Sequence, residues 1–587
     1  MNTIRRVPEK INSGLNENIN NGVISKVVNE IEPQRKSTVW IVHNILETTE
    51  LDLIIDKVSS CSKVINLIVE PLNHLEALEK YKLDHPKLEI IFFNKAIEQA
   101  KIIDAKIDPN YYLGWQPILT ENLNTDQINH LSEVYHELTP LMNRKAMSKI
   151  TRNRVSSDFI KNALVNAVFT NSLNSFANYK YLHKDKPVVI ISTGPSLNKQ
   201  LSTLQKYKDF FITISVDASV KILHEAGIIP DYIVTLDPGK RPYWGTNELD
   251  EKSTVFLDLG SCPDLAWTST KNYVITDGHP DVTNFINSLG TDIPFLNTGG
   301  SVSTRAFNIA LHLGCNPIVM IGQDLGWTEG KHHAEGYVSQ YTQESLDARH
   351  ANGFEIEGYY GGTVRTEKQL MVYKTWFEEK ITTQPETIVI NSTEGGALIK
   401  GAANIPFITV CEEISKYPIL KDTIPTRPWA IDIEYVSNLQ NSLVKLNSEL
   451  VDLKNNIIQV IDKINKNTKT KRSNERILTS IDKLNKILVS SSQNVKIIIE
   501  MMEQSEIASQ LQQIHATEFD QEIVKILSGY LNLYNATLSG IDSAAAFVDK
   551  IIKLHREIID RQKLTFDLLY QFNLNKWNAD GSKNKSY

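Results

Sequence analysis

The sequence predicts an α/β protein with a doubly wound, largely parallel sheet at its centre, preceded by a small α/β domain and followed by a helical bundle. Three observations carry that expectation. Between residues 188 and 390, short and wholly apolar runs recur with helical stretches between most of them. A strand buried on both faces reads as a continuous apolar run, and parallel neighbours need crossovers. A fainter form of the same alternation occupies residues 36–120. After Pro428 the rhythm changes to apolar residues stepping by four and three, the seam of a long packed helix. A chain of 587 residues also exceeds one ordinary domain.

Taken in order, residues 1–35 are polar and aperiodic and are expected to form a flexible arm. Strands are expected at Val39–Val42, Val64–Val69 and Leu88–Phe93, giving a small parallel α/β domain over 36–120. Residues 121–180 have helical periodicity and are expected to be a connector. The central domain, 181–425, is expected to be Rossmann-like. Its strands are Val188–Ile191, Phe211–Val216, Tyr232–Leu236, Val255–Leu259, Tyr273–Thr276, Ile318–Ile321 and Thr387–Ile390. Helices are expected at Leu197–Tyr207, Ser219–Ala226, Val282–Leu289 and Val302–Leu313. In the helical domain, 426–577, Leu439, Leu443, Leu446, Leu450, Leu453, Ile457, Val460 and Ile464 form the seam. A polar turn at Asn467–Arg472 follows, Ile477, Ile481, Leu484 and Leu488 resume the pattern, and two more helices are expected at 495–535 and 540–570. The tail, 578–587, is expected to be disordered.

Composition excludes several classes. Apolar residues make up 41% and charged residues 22%, so real cores can form, and a net charge of −7 carries no nucleic-acid footprint. No apolar run reaches the roughly 18 residues of a membrane span, and the N-terminus lacks the apolar core of a signal peptide. Cys61, Cys262, Cys315 and Cys411 lie too far apart in sequence for a metal motif. A reduced, cytoplasmic setting is the expectation.

Five segments can carry chemistry. Ile190 runs into Thr193-Gly194-Pro195-Ser196-Leu197, a strand, a tight turn and a helix start, where backbone amides favour an anion. This is not the GxGxxG pattern, so no dinucleotide cofactor is expected. Asn297-Thr298-Gly299-Gly300-Ser301-Val302-Ser303 opens another helix; it can hold a phosphate or simply cap the helix. Ile318–Ile321 leads into Gly322-Gln323-Asp324, at the carboxyl end of a buried strand where such sheets bind ligands. Asp324 can act as acid, base or ligand contact, or cap the following loop. His332 and His333 follow and can serve as base, metal ligand or phosphate contact, or be plain solvated loop residues. The segment up to Arg365, with Tyr337, Tyr341, Phe354, Tyr359 and Tyr360, reads as an aromatic loop, either a lid or plain packing. Asp217, Asp231 and Asp237 lie at or near strand ends, each a ligand contact or a cap. None forms a DxD grip, so no metal is expected. Glu394, in Asn391-Ser392-Thr393-Glu394-Gly395-Gly396, can orient a sugar hydroxyl or sit in a solvated turn.

In order along the chain, these segments resemble the motility accessory factor family of flagellin glycosyltransferases. The resemblance rests on Thr193–Leu197, Asn297–Ser301, Gly322–Asp324 and Asn391–Gly396 and spans about 190–400. The central domain is also similar to bacterial sialyltransferases. The resemblance implies transfer of a nonulosonic acid, of pseudaminic or legionaminic type, from a CMP-activated donor to Ser or Thr of flagellin. It implies a donor pocket of Gly194, Pro195, Ser196, Asp217, Asp237, Thr298, Gly299, Gly300, Ser301 and Gln323, with Glu394 on a hydroxyl and Asp324, His332 or His333 in the chemistry. A CMP-sugar leaves as a monophosphate, which accords with the missing DxD. Tyr359–Arg365 contains no histidine where the sialyltransferases place their base. Archaeal pterin pyrophosphokinases resemble the same domain and would instead need Mg²⁺ held by carboxylates such as Asp217 and Asp237. A flagellin-binding assembly factor without catalysis is the third possibility.

Overall fold

The computed structural model describes residues 39–43, 63–69, 88–107, 115–117, 123–171, 175–239, 252–268, 273–296, 298–337, 342–424, 431–467 and 523–561, with isolated positions between them. The expected arm, Cys61, Asn297, Tyr341, Ile477, Leu488 and the tail lie outside the described residues, as does most of the expected helix 495–535. The chain divides into two compact units, residues 1–149 with 511–529 and residues 150–510 with 530–587. The first boundary falls inside the segment read as a connector, within a helix.

In the first unit, β1 (Val39–His43), β2 (Lys63–Leu67), β3 (Leu88–Ile91) and β4 (Trp115–Pro117) form a parallel sheet in the order β3-β2-β1-β4. Helix α1 (Ala96–Lys106) and the start of α2 (Thr125–Asn166) complete its core, with Ile103, Val134 and Leu138 against Ile41, Ile65 and Ile91.

The second unit is built on an eight-stranded sheet. In chain order its elements are β5 (Val188–Ile191), α3 (Leu197–Tyr207), β6 (Ile212–Val216), α4 (Val220–Glu225), β7 (Tyr232–Thr235), β8 (Thr254–Asp258), α5 (Pro263–Thr268), β9 (Tyr273–Thr276), α6 (Pro280–Asn287), α7 (Val302–His312) and β10 (Ile318–Ile321). Beyond them come α8 (Gln343–Ala351), a hairpin of β11 (Phe354–Glu357) and β12 (Thr363–Thr366), α9 (Lys368–Thr382), β13 (Val389–Asn391), β14 (Ala403–Asn404) and α10 (Phe407–Ile414). The order is β14-β13-β10-β5-β6-β7-β8-β9, and every pairing is parallel.

Alternate residues of each apolar strand point to opposite faces, which is why both faces carry a core. Ile190, Ile214, Phe256 and Met320 pack with Phe307 of α7 and Phe377 of α9. Val189, Ile191, Val319 and Ile390 pack with Leu204 of α3, Leu223 of α4 and Phe407 of α10.

From β5 the chain winds outward through β6 to β9, then returns to lay β10 on the other side of β5 and continues to β13. The winding direction therefore reverses between β5 and β10. That is the switch point, the place along the carboxyl edge where doubly wound sheets bind ligands.

Two local expectations need correction. The segment 337–365 is not one long loop, because it contains α8 and the β11–β12 hairpin. In the helical part, α11 (Ile433–Asn467) buries all eight seam residues, as expected. The last helix, α12 (Ile523–Arg561), runs unbroken where two helices with a gap at 535–540 were expected. Gly540 costs a helix interior about 0.5–1 kcal/mol, too little to break one that buries Tyr534, Ile541, Val548 and Ile551. Gln440 Nε2 donates to Ile552 O at 3.1 Å and Asn447 Nδ2 to Asp549 Oδ1 at 3.2 Å, so α11 and α12 run antiparallel. No helix among the described residues is long and apolar enough to cross a membrane.

Candidate active site

The loops leaving β5 and β10 are knotted together. Gly194 N donates to Gly322 O at 2.7 Å. Asp324 is 2% exposed, and its carboxylate faces the first turn of α3. Ser196 donates to it twice, from N at 3.3 and 3.4 Å and from Oγ at 2.7 Å, and the Thr328 hydroxyl donates to the other oxygen. Burial pushes the Asp324 carboxyl up from its ordinary value, while the Thr328 and Ser196 bonds pull it back. Pro195 lies in this same turn. Asp324 is thus a pin for the Gly194–Ser196 turn.

A second network lies beside the first. Ser192 Oγ donates to Gln323 Oε1 at 2.7 Å and lies 3.0 Å from Ser303 Oγ in the first turn of α7. Since its one proton goes to Gln323, Ser303 donates to Ser192. Gln323 N in turn donates to Thr393 Oγ1 at 3.3 Å. Three strand ends and one helix start therefore meet at the switch point.

The start of α7 is built as the sequence suggested. Ser301 caps it in a reciprocal box with Thr304, whose hydroxyl also takes Gly299 N at 3.0 Å. The remaining first-turn amides of a helix have no partner within it. Residues 298–303 are half-buried or exposed, so this turn is open to a ligand. Gly300 has φ +87°, a conformation that favours glycine, and a side chain on Gly299 would come within 2.5 Å of the Trp376 ring.

Several buried polar atoms here have no hydrogen-bond partner among the described residues. They are Thr193 Oγ1 just past β5, Gln200 Oε1 in α3, Asn391 Nδ2 at the end of β13 and the Tyr359 hydroxyl. Buried polar groups are nearly always satisfied, by water or ligand where not by protein.

The other residues singled out have local partners. Asp217 accepts from Ala218 N at 2.8 Å and Thr235 Oγ1 at 3.0 Å. Asp237 accepts from Gly239 N at 2.8 Å. Asp231 lies at the opposite, amino edge, holding Thr213 and Lys421. Glu394, at φ +55°, accepts from Phe407 N at 3.0 Å and so caps α10.

His332 and His333 follow a tight turn at Glu329-Gly330 and are tied to the site by Ala334 N, which donates to Thr193 O at 3.0 Å. His332 is wedged edge-on between the rings of Trp327 and His333, with Nε2 3.6 Å from Glu367 Oε1. His333 packs on Tyr337.

Sequence reasoning missed two charged clusters. Glu367 is paired with Arg349 Nε at 2.9 Å; burial opposes its charge, but His332 and Arg349 beside it hold its carboxyl down to about 2. Arg305 of α7 bridges two buried carboxylates, with Nη2 2.6 Å from Asp258 Oδ2 and Nη1 2.7 Å from Asp277 Oδ1. Asp258 and Asp277 end β8 and follow β9; their sequence signal, an Asp after an apolar strand, was as strong as that of Asp217 and Asp237.

Residues 157–330 match the family described as 6-hydroxymethylpterin diphosphokinase MptE-like. An uncharacterized protein of Treponema pallidum (strain Nichols) is 25% identical over 222 residues, and the match spans 35% of this chain and 37% of that relative's length. The solved structure of the MAf glycosyltransferase from Magnetospirillum magneticum AMB-1 superposes with a TM-score of 0.53 at 13% identity, covering 95% of this chain and 87% of that one. The chain thus has the fold of a motility accessory factor glycosyltransferase, the group its motifs resemble.

Proposed function

We propose that the protein is a glycosyltransferase that moves a nonulosonic acid from a CMP-activated donor to Ser or Thr hydroxyls of flagellin. The observation that carries this reading is the convergence at the switch point: the open, capped start of α7 beside the Ser192–Ser303–Gln323 chain. Helix N-terminal amides with hydroxyls suit a phosphate that leaves as a monophosphate. Thr193 Oγ1 and Asn391 Nδ2, buried without a partner among the described residues, offer further polar atoms for a sugar or ribose. His332 and His333, tethered to the site through the Ala334 N bond to Thr193 O, are the candidate proton acceptors. The fold shared with a MAf glycosyltransferase supports the reaction class; donor and acceptor are inferred from motif resemblance and site chemistry.

The match to the MptE-like family over residues 157–330 favours a second reading, pyrophosphate transfer from ATP to a pterin. It needs carboxylates free to hold Mg²⁺, and Asp217 and Asp237 already hold local hydrogen bonds. Thermal shift decides between them: stabilisation by CMP without metal supports sugar transfer, whereas stabilisation by ATP with Mg²⁺ and none by CMP overturns it. Intact mass of flagellin co-expressed with the protein and a CMP-sugar pathway then tests the acceptor.

A further inference from the structure

The first unit carries an open hollow that the transfer reading does not use. It lies at the carboxyl end of β3, where the chain runs through Phe92-Phe93-Asn94-Lys95 into α1. Phe93, Asn94, Lys95, Ala96, His130 and Glu133 line it, and its volume of about 480 Å³ is within the range of small-molecule sites. Two of its rings are held in place from below. Gln99 of α1, fully buried, donates its Nε2 to Ile68 O at 2.8 Å and to Phe92 O at 2.9 Å, splinting the ends of β2 and β3. With its NH₂ spent on those carbonyls, Gln99 accepts at Oε1 from His130 Nε2, 2.6 Å away. The His130 ring in turn lies 4.9 Å from that of Phe93. Phe93 nevertheless stays 41% exposed, a ring anchored at the surface without being buried. Beside it, the Lys95 ammonium, the Asn94 NH₂ and the Glu133 carboxylate have no partner among the described residues. Burial holds His130 below its ordinary value, with Glu133 opposing, so at neutral pH the imidazole adds no charge.

We propose that this hollow is a second carbohydrate site, one that takes a sugar bearing a carboxylate. A partly exposed aromatic ring offers an apolar, electron-rich face, which suits the C–H face of a pyranose. The hydroxyls of such a ring need both kinds of polar partner: Glu133 accepts and Asn94 donates. Lys95 supplies a compact positive charge for the carboxylate. Because the hollow is open, it admits a sugar already attached to a protein surface, whereas a free small ligand is mostly enclosed. The choice of an acidic sugar rests on the transfer reading above, in which such a sugar is what the acceptor carries after reaction. The site then holds glycans already on the acceptor and keeps a partly modified acceptor bound for the next transfer.

Saturation-transfer NMR titrations of the full chain test this, with the methyl glycoside of N-acetylneuraminic acid as the acidic probe and methyl galactopyranoside as the neutral one. The wild type should bind the acidic probe more tightly than the neutral one. Phe93→Ala should weaken the acidic probe by roughly tenfold or more, the scale of a lost aromatic anchor. Lys95→Ala should bring the acidic probe down to the affinity of the neutral one, and Lys95→Arg should keep most of the preference. Glu133→Gln should weaken both probes by roughly fivefold, which gives a reading independent of Phe93. These side chains are exposed, so each variant should keep the wild-type Tm. No binding of either sugar to the wild type, or affinities that neither Phe93→Ala nor Glu133→Gln changes, overturns the site. A preference for the acidic probe that survives Lys95→Ala overturns the acidic-sugar assignment. Stabilisation by CMP with neither sugar bound sinks this site and leaves the transfer reading standing. Sugar binding lost in Phe93→Ala, in a protein that CMP does not stabilise, sinks the transfer reading and leaves the site.

Discussion

Replacing Asp324 with asparagine leaves one acceptor oxygen where the carboxylate serves three donors: the Ser196 amide, the Ser196 hydroxyl and the Thr328 hydroxyl. The new NH₂ would face one of the hydroxyls, which must then rotate to accept. Its own hydrogen loses its partner in a site only 2% exposed. One buried donor left unsatisfied costs about 1–3 kcal/mol. If half of that cost passes into misplacement of the Gly194–Ser196 turn, donor affinity falls by roughly two- to tenfold, since about 1.4 kcal/mol is a factor of ten. The expectation for Asp324→Asn is therefore a lowered urea midpoint and a raised donor KM, with kcat changed by a small factor. Urea unfolding, CMP calorimetry and initial rates measure the three. An unchanged midpoint with kcat reduced 10² or more would refute the reasoning, because a structural pin cannot fail without loosening anything. Asp324 would then belong to the proton-transfer chemistry.

Four further outcomes follow from the geometry. Gly194→Ala places a carbon 1.9 Å from Asp324 Oδ2 and 2.5 Å from Gly322 O, so it should abolish CMP binding with a large loss of stability; normal CMP calorimetry would contradict this. Gly300→Ala meets nothing closer than 3.8 Å but adopts φ +87°, so it should cost about 1–2 kcal/mol in urea unfolding and weaken CMP binding together. The Asp258 carboxyl is pushed up to about 6 by burial, with Arg305 opposing and Asp277 adding to the rise. A raised folded value means the fold holds that proton more tightly. This contribution is full below the ordinary 3.8 and is lost as pH rises through about 6. The span of roughly two units is worth about 3 kcal/mol at most, so Asp258→Asn should flatten the rise in urea midpoint on acidification from about pH 7 to 4. Leu446→Ala, at the centre of the α11 seam and fully buried, should destabilise by about 2–5 kcal/mol while folded protein keeps its CMP affinity.

Much of the second unit was legible because its information is local. Val188–Ile191 and Ile318–Ile321 are apolar on both faces, and only a strand covered on both sides accommodates that. The Ser301–Thr304 cap and the Leu439–Ile464 seam are likewise written in neighbouring residues. Strand order is not local. Nothing in Ile318–Ile321 says that it pairs with β5 instead of β9, yet that pairing creates the switch point. Arg305 with Asp258 and Asp277, and Glu367 with His332 and Arg349, come from separate loops brought together by that order. Residues of this kind have no spacing to read.

Two glycines of the site are required by a contact that the sequence does not display. In sequence, Gly194 lies in a turn whose backbone amides favour an anion, and Gly396 closes a polar turn after a strand. In the fold, the space beside them is filled by the protein's own Asp324: a side chain on Gly194 would sit 1.9 Å from its carboxylate, and one on Gly396 would sit 2.0 Å from its carbonyl oxygen. Leu325 and Glu394, both non-glycine residues at positive φ, lie next to the same knot, one directly after Asp324 and one two residues before Gly396. Backbone strain of that kind costs about 1–3 kcal/mol per residue and persists only where surrounding contacts over-determine it. Three loops are thus held rigidly around one buried carboxylate. On the proposed function, the groups that remain for a ligand are the α7 amides with Ser303. On that same reading, a rigid knot beside the start of α7 holds the leaving phosphate still while the acceptor arrives.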